Sequence, residues 1–376
     1  MFNTSFRLPF KLLGIPIKLD FSFLIVLALF TYLIGSQVPA YIAMFGGDRL
    51  AGVDPQQFRE GALPYILGFI AAVGLFASVL VHELGHALTG RLYGAETKEI
   101  TLWFLGGVAQ FEDLPRQRGA EAVVAVAGPL TSFLLMGLFW VAAQSLPVGV
   151  ATLFILSYLT FTNGALAIFN LLPALPLDGG RVLRSLLALQ LEFVRATRIS
   201  VRIGFVVAVL LGFYGLYSRS FFLILIAFFI YNAGRSENRY AVVTRKLDDV
   251  SVRDLTVSVV SVEPEMSLAQ LEQLEAFKRQ GGYPVVSTEG QVLGFADSKH
   301  SESAGGNTVG AIMTSVEPIR ADEEAVAALR RMSATKANQL VVVDAAGKLL
   351  GMVSAADLSR TLQDDAAPSN ERAGAG

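Results

Sequence analysis

The chain contains no cysteine. That excludes disulfides, cysteine zinc sites and iron–sulfur clusters, so a metal must be held by histidine and carboxylate. Charge is scarce as well. Asp, Glu, Lys and Arg make up 16% of the 376 residues, against about 25% in an average soluble domain. The net charge of -2 leaves no basic field of the kind that binds nucleic acid, so no nucleic-acid partner is expected. Histidine occurs only three times.

What the chain has instead is apolar length. Hydrophobic residues are 53% of the total and mean hydropathy is +0.53. A membrane-spanning helix needs about 20 apolar residues. Six runs approach that, at Phe21–Ser36, Ala62–Val81, Ala122–Ala143, Ala151–Leu171, Ile203–Tyr217 and Phe221–Tyr231. The last two are separated only by Ser218-Arg219-Ser220 and predict a helical hairpin. The segment before the first run carries Arg7, Lys11 and Lys18 without a signal-peptide cleavage pattern, so that run is expected to be kept. Twelve Lys and Arg fall on one side of the six spans, against Arg49, Arg59 and Arg219 on the other. The positive-inside rule then places both termini in the cytoplasm of a multi-pass cell-membrane protein.

Two of the three histidines lie in His82-Glu83-Leu84-Gly85-His86, at the end of the second apolar run. Positions i and i+4 share one helix face, so both imidazoles can reach one metal ion. Glu83, beside the first, can take a proton from an attacking water. Polar ionisable residues inside hydrocarbon are costly and functional by default. The motif marks zinc hydrolases that cut peptide bonds.

Further along, Asn170-Leu-Leu-Pro173-Ala-Leu-Pro176-Leu-Asp178-Gly179-Gly180-Arg181 closes the fourth run. Its prolines interrupt the helix, and irregular backbone at membrane depth needs a cavity or protein around it. Asp178 is a natural third ligand, leaving a fourth position open as a catalytic zinc site requires. Asn170 can donate to a developing oxyanion, or can satisfy backbone groups freed by Pro173. The stretch from Glu99 to Glu112, broken by Gly106-Gly107, reads as strands with a bend. It is either a surface hairpin or an edge to which an extended substrate adds.

After a polar connector from Asn232 to Asp249, an internal repeat appears at an offset of 57 residues. Val252 matches Val309, Val285 matches Val342, and Gly294 matches Gly351. Each copy reads strand, amphipathic helix, strand, strand, with helices at Leu268–Arg279 and Glu324–Ser333. The expected division is 1–240 for the membrane domain, 241–362 for the pair (copies about 250–306 and 307–362), and a disordered tail over 363–376.

Together these motifs resemble the site-2 protease family of intramembrane zinc metalloproteases, in its subgroup with a C-terminal pair of cystathionine-β-synthase-type (CBS) domains. The resemblance also rests on Ala127-Gly128-Pro129. It implies a polytopic α-helical membrane protein of about six spans with a C-terminal α/β tandem domain. It implies one zinc ion held by His82, His86 and Asp178, with Glu83 as general base and acid. It implies substrates that are single-span membrane proteins or signal-peptide remnants. Where the family often has Asn, this chain has Ser132, which weakens a polar role at that position. CBS domains often contact a nucleotide through Gly-x-x-Ser/Thr-x-x-Asp. The second copy keeps this as Gly351, Ser354 and Asp357; the first has Gly294, Asp297 and His300. An adenine nucleotide and a homodimer formed through the pair are therefore expected. The competing reading is a transporter or channel gated by the pair, with an intramembrane metal site.

Overall fold

The computed structural model describes residues 5–45, 54–104, 106–111, 117–248, 250–274, 282–297 and 307–364. The chain divides into two compact units, Met1–Arg239 and Tyr240–Gly376. The proposed tail falls mostly outside the described residues, as does His300.

The first unit combines long helices with one small sheet. Its helices are α1 (Phe21–Phe45), α2 (Leu63–Leu92), α3 (Ala120–Ser145), α4 (Val150–Asn170), the short α5 (Asp178–Leu187), α6 (Phe193–Tyr217) and α7 (Phe221–Leu247), of which residues up to Arg239 belong to this unit. Five of them, α1 to α4 and α6, are long and apolar enough to cross a membrane. The sixth apolar run forms only the first part of α7. The helix does not stop there but continues through the polar residues expected to form a connector. The count agrees with about six spans, and the connector is helical.

Helix α2 is the hub. Pro64 opens it, where a missing N–H costs nothing. Close approach to its neighbours depends on missing side chains. A Cβ at Gly68 would lie 2.5 Å from the Thr31 carbonyl of α1, and one at Gly85 would lie 2.4 Å from Thr131 Oγ1 of α3. Among membrane helices, where burial from water contributes little, such backbone-close packing is a main source of association. Asn163 of α4 adds a polar tie, donating to Ser78 Oγ at 3.0 Å.

The sheet has the order β1 (Ser5–Leu12), β2 (Ile15–Asp20), β3 (Thr97–Trp103), β4 (Gly106–Phe111). The second hairpin matches the strands read from Glu99 to Glu112. The first was missed. Its turn is Leu13-Gly14, both with positive φ (50° and 82°). A turn of this kind usually carries Asn or Asp at its first position, and a leucine there hides it. Ile15, Ile17 and Ile100 then bury one face against Ala87 of α2. This fixes the sheet beside the His-Glu-x-x-His turn.

Between α4 and α5, Leu171 to Leu177 is irregular. Ala174 and Leu175 are almost wholly buried, so the broken backbone is enclosed by protein, as membrane depth demands. A Cβ at Gly179 would lie 2.2 Å from the Leu171 carbonyl. That explains the glycine directly after Asp178. Arg184 of α5, 4% exposed, donates from Nε to Glu121 of α3 at 3.1 Å and from Nη1 to Glu237 of α7 at 3.0 Å. Three helices are thereby joined through one paired, buried cation.

The second unit realises the repeat. Strands β5 (Gly282–Val286) and β6 (Val292–Asp297) pair antiparallel, as do β8 (Gln339–Val343) and β9 (Leu349–Ser354), while β7 (Ile319–Arg320) lies parallel to β8. Val285 faces Gly294 and Val342 faces Gly351, and each ladder shifts register just after that pair. The helices are α8 (Leu268–Gln273), α9 (Val309–Ile312), α10 (Ala325–Thr335) and α11 (Ala355–Asp364). Residues 275–281, at the end of the first expected helix, lie outside the described residues. The two copies exchange their leading segments. Val252 and Leu255 sit in the core with Ile319, Val326 and Val342. Val309 and Ile312 sit in the core with Val262, Leu271 and Tyr283. The hydrophobic cores therefore do not follow the repeat boundaries in the sequence.

Candidate metal centre

Helix α2 places His82 and His86 one turn apart, and the start of α5 brings Asp178 against both. His82 Nε2 and His86 Nε2 each lie 3.2 Å from Asp178 Oδ2, and the two Nε2 atoms are 3.2 Å from each other. All three residues are at least 93% buried, with exposures of 3%, 6% and 7%. His86 Nδ1 is 2.8 Å from the Val124 carbonyl. A carbonyl only accepts, so Nδ1 carries a proton, and in the neutral ring this tautomer would turn a bare lone pair inward at Nε2. His82 Nδ1 is 2.9 Å from Ser132 Oγ, which leaves its Nε2 for the same point.

Acceptors meeting at one buried point repel unless a cation lies among them. The spacing fits one. For zinc–ligand distances of about 2.0 Å, the edge of a ligand tetrahedron is about 3.3 Å. Two imidazoles and a carboxylate are also a donor set that zinc accepts while keeping one position open. Space is reserved for this arrangement. A Cβ at Gly128 of α3 would lie 2.2 Å from His86 Nε2 and 2.7 Å from His82 Nε2. Gly128 therefore admits the ring nitrogens, and no other residue would.

Glu83 points to the sheet. Its Oε2 accepts from the Ala109 N–H of β4 at 3.2 Å. A Cβ at Gly107 would lie 2.6 Å from Glu83 Cγ, so this glycine lets the strand approach the carboxylate. Gly106 begins β4 with φ 127° and has open space around its Cβ position. Asn170 is different. Its Nδ2 donates to the Leu166 carbonyl one turn back in α4 at 3.0 Å. Here its amide serves its own helix.

Several participants were not foreseen. Ser132 is fully buried and hydrogen-bonds the His82 ring at Nδ1, so the departure from Asn does not remove the polar partner there. The Val124 carbonyl and the Ala109 N–H carry no sequence signal, because every residue but proline has both groups. In the second unit, Ser354 and Asp357 bond each other. Ser354 Oγ donates to Asp357 Oδ2 at 2.5 Å, and the Asp357 N–H donates to Ser354 Oγ at 3.2 Å. This is a capping box at the start of α11.

Taken together, the apolar helices and the enclosed His-His-Asp triangle beside a glutamate define a multi-pass membrane metallohydrolase. The comparisons agree and go further. The sequence profile of Peptidase family M50 matches residues 70–151 and 144–211, and that of the CBS domain matches 309–364. The chain is 30% identical to zinc metalloprotease MJ0392 of Methanocaldococcus jannaschii over 361 residues, covering 96% of each chain. It is 30% identical to the putative zinc metalloprotease sll0528 of Synechocystis over 389 residues, covering 97% of each. The solved site-2 protease from Methanocaldococcus jannaschii aligns with TM-score 0.45 and 31% identity, over 62% of this chain and 95% of that one. The chain belongs to peptidase family M50, the site-2 protease family, and carries a CBS domain. It is a zinc metalloprotease of site-2 type, and the transporter reading falls.

Two substitutions test the fit of the site. Gly128→Ala should lose most of its zinc, because the added methyl group overlaps the ring nitrogens. Ser132→Ala should weaken zinc affinity about 10- to 100-fold, the usual effect of removing a partner behind a metal ligand. Competition with a chromophoric chelator measures both. Wild-type affinity in Gly128→Ala would show that the metal does not sit in this triangle.

Proposed function

We propose that this protein is an endopeptidase for the spans of single-span membrane proteins or for signal-peptide remnants. One observation carries the reading: the buried triangle stands on a membrane helix whose Glu83 touches the outermost strand of a sheet. A peptide bond inside a helix is tied into the helical ladder, so a membrane segment must be extended before attack. Strand addition along β4, past Gly106 and Gly107, would supply that extended backbone.

His82, His86 and Asp178 would hold the zinc ion. When bound there, zinc polarises the scissile carbonyl and lowers the pKa of water to about 7. Glu83 takes the proton of the attacking water and returns it to the leaving amine. Ser132 and the Val124 carbonyl keep the two rings turned inward. An oxyanion role for Asn170 requires its amide to leave the Leu166 carbonyl on substrate binding. The Lys and Arg asymmetry supports cytoplasmic termini.

The CBS unit is proposed to sense an adenine nucleotide. Gly351, Ser354 and Asp357 belong to the copy that retains the phosphate- and ribose-compatible pattern, whereas Asp297 would repel a phosphate in the other. Association of two chains through this unit belongs to the same proposal.

Glu83→Gln should keep its zinc and lower cleavage of co-expressed single-span proteins by about 10^2- to 10^4-fold, the worth of a general base. Fragments that appear at the wild-type rate in Glu83→Gln would end the mechanism. Calorimetry of the full chain in micelles with AMP, ADP and ATP should find at most one site per chain, weakened by Asp357→Ala. No heat of binding at millimolar nucleotide would remove the sensor, and a chain mass by light scattering reports the dimer.

A further inference from the structure

Among the described residues, strand β4 ends the sheet, with β3 on one side only. Opposed residues in an antiparallel ladder alternate between bonded and non-bonded pairs. Ala109 faces Ile100, yet its N–H is directed away from β3, to Glu83 Oε2 at 3.2 Å. Ala109 and, two residues earlier, Gly107 therefore turn their backbone groups to the outer edge. Gly107 is also where the missing Cβ admits Glu83 Cγ. The edge that would receive a substrate strand is closed by the protease's own general base.

We propose that Glu83 and the substrate backbone compete for the Ala109 N–H. In the free protein the carboxylate accepts this bond. An incoming extended segment pairs with the outer edge of β4, takes the Ala109 N–H with one of its carbonyls, and sets Glu83 free to face the scissile bond. The base becomes available only when a strand occupies the edge. This couples substrate docking to catalysis without a separate lid, and it selects against segments that remain helical. The inference rests on the docking of substrate along β4 proposed above.

The two ideas separate in a binding measurement. The probe is a fluorescein-labelled synthetic peptide, a leucine–alanine span with lysines at each end and a central Gly-Asn pair. It is titrated onto the zinc-loaded full chain in nanodiscs. Glu83→Gln keeps a side-chain acceptor for the Ala109 N–H, and Glu83→Ala removes it. Glu83→Ala should bind the peptide about fivefold more tightly than Glu83→Gln, the net worth of one hydrogen bond. Adding Ala109→Pro to Glu83→Ala should abolish the gain, since proline has no N–H and is tolerated where an edge strand faces outward. Zinc content, measured in parallel, should be the same in all three. Equal affinity of Glu83→Ala and Glu83→Gln would overturn the competition while leaving docking intact. A gain that survives Ala109→Pro would also overturn it. Binding by none of the variants would overturn docking on β4, and the competition with it.

Discussion

Everything in the membrane unit answers to one constraint: acceptor atoms from two histidines and an aspartate converge within 3.2 Å of one another in a buried site. Such a cluster is tolerable only around a cation and only if the surrounding groups turn each ring correctly. The bundle supplies both conditions. Gly128 gives the ring nitrogens room, while Ser132 and the Val124 carbonyl hold the other face of each ring. All three come from α3. The three residues of the triangle come from α2 and α5. The centre therefore exists only when these helices are packed, and close contacts such as Gly85 against Thr131 hold them so.

The same economy governs the third member of the triangle. Asp178 reaches the histidines because the chain breaks after α4 and restarts as α5. A continuous helix from Val150 would carry Asp178 away, since each residue advances about 1.5 Å. The break leaves polar backbone that must be enclosed, and Gly179 permits the close return onto Leu171. Arg184, six residues after Asp178, ties α5 to α3 and α7 by ion pairs. Order at this corner thus depends on charge pairing, whereas α1, α2 and α4 meet through an apolar core that includes Ile34, Leu67 and Phe154.

In the second unit the repeat is physically real but not modular. Each core borrows the leading segment of the other copy, Val252 on one side and Val309 on the other. Neither copy has a complete core within its own stretch of sequence. The exchanged segments pack each copy into the core of the other.

Sequence alone determined a good deal here. Apolar length located the helices, because a bilayer fixes how long a run must be. The i, i+4 spacing put both histidines on one helix face, because helix geometry is local, and the absence of cysteine left histidine and carboxylate as the candidate donors. The offset of 57 determined which strands pair alike in the two copies. Tertiary structure decided the rest. The β1–β2 hairpin was hidden because Leu13 occupies a left-handed turn position that its side chain does not advertise. The partners Ala109 and Val124 were hidden because they act through backbone, which all sequences share. Ser132 was discounted because its neighbour His82 is 50 residues away in the chain. Asn170 kept two readings and Ser354 was given one, yet a short polar side chain can serve either its own helix or a ligand. Only packing shows which groups it meets: in this structure, the Leu166 carbonyl and Asp357.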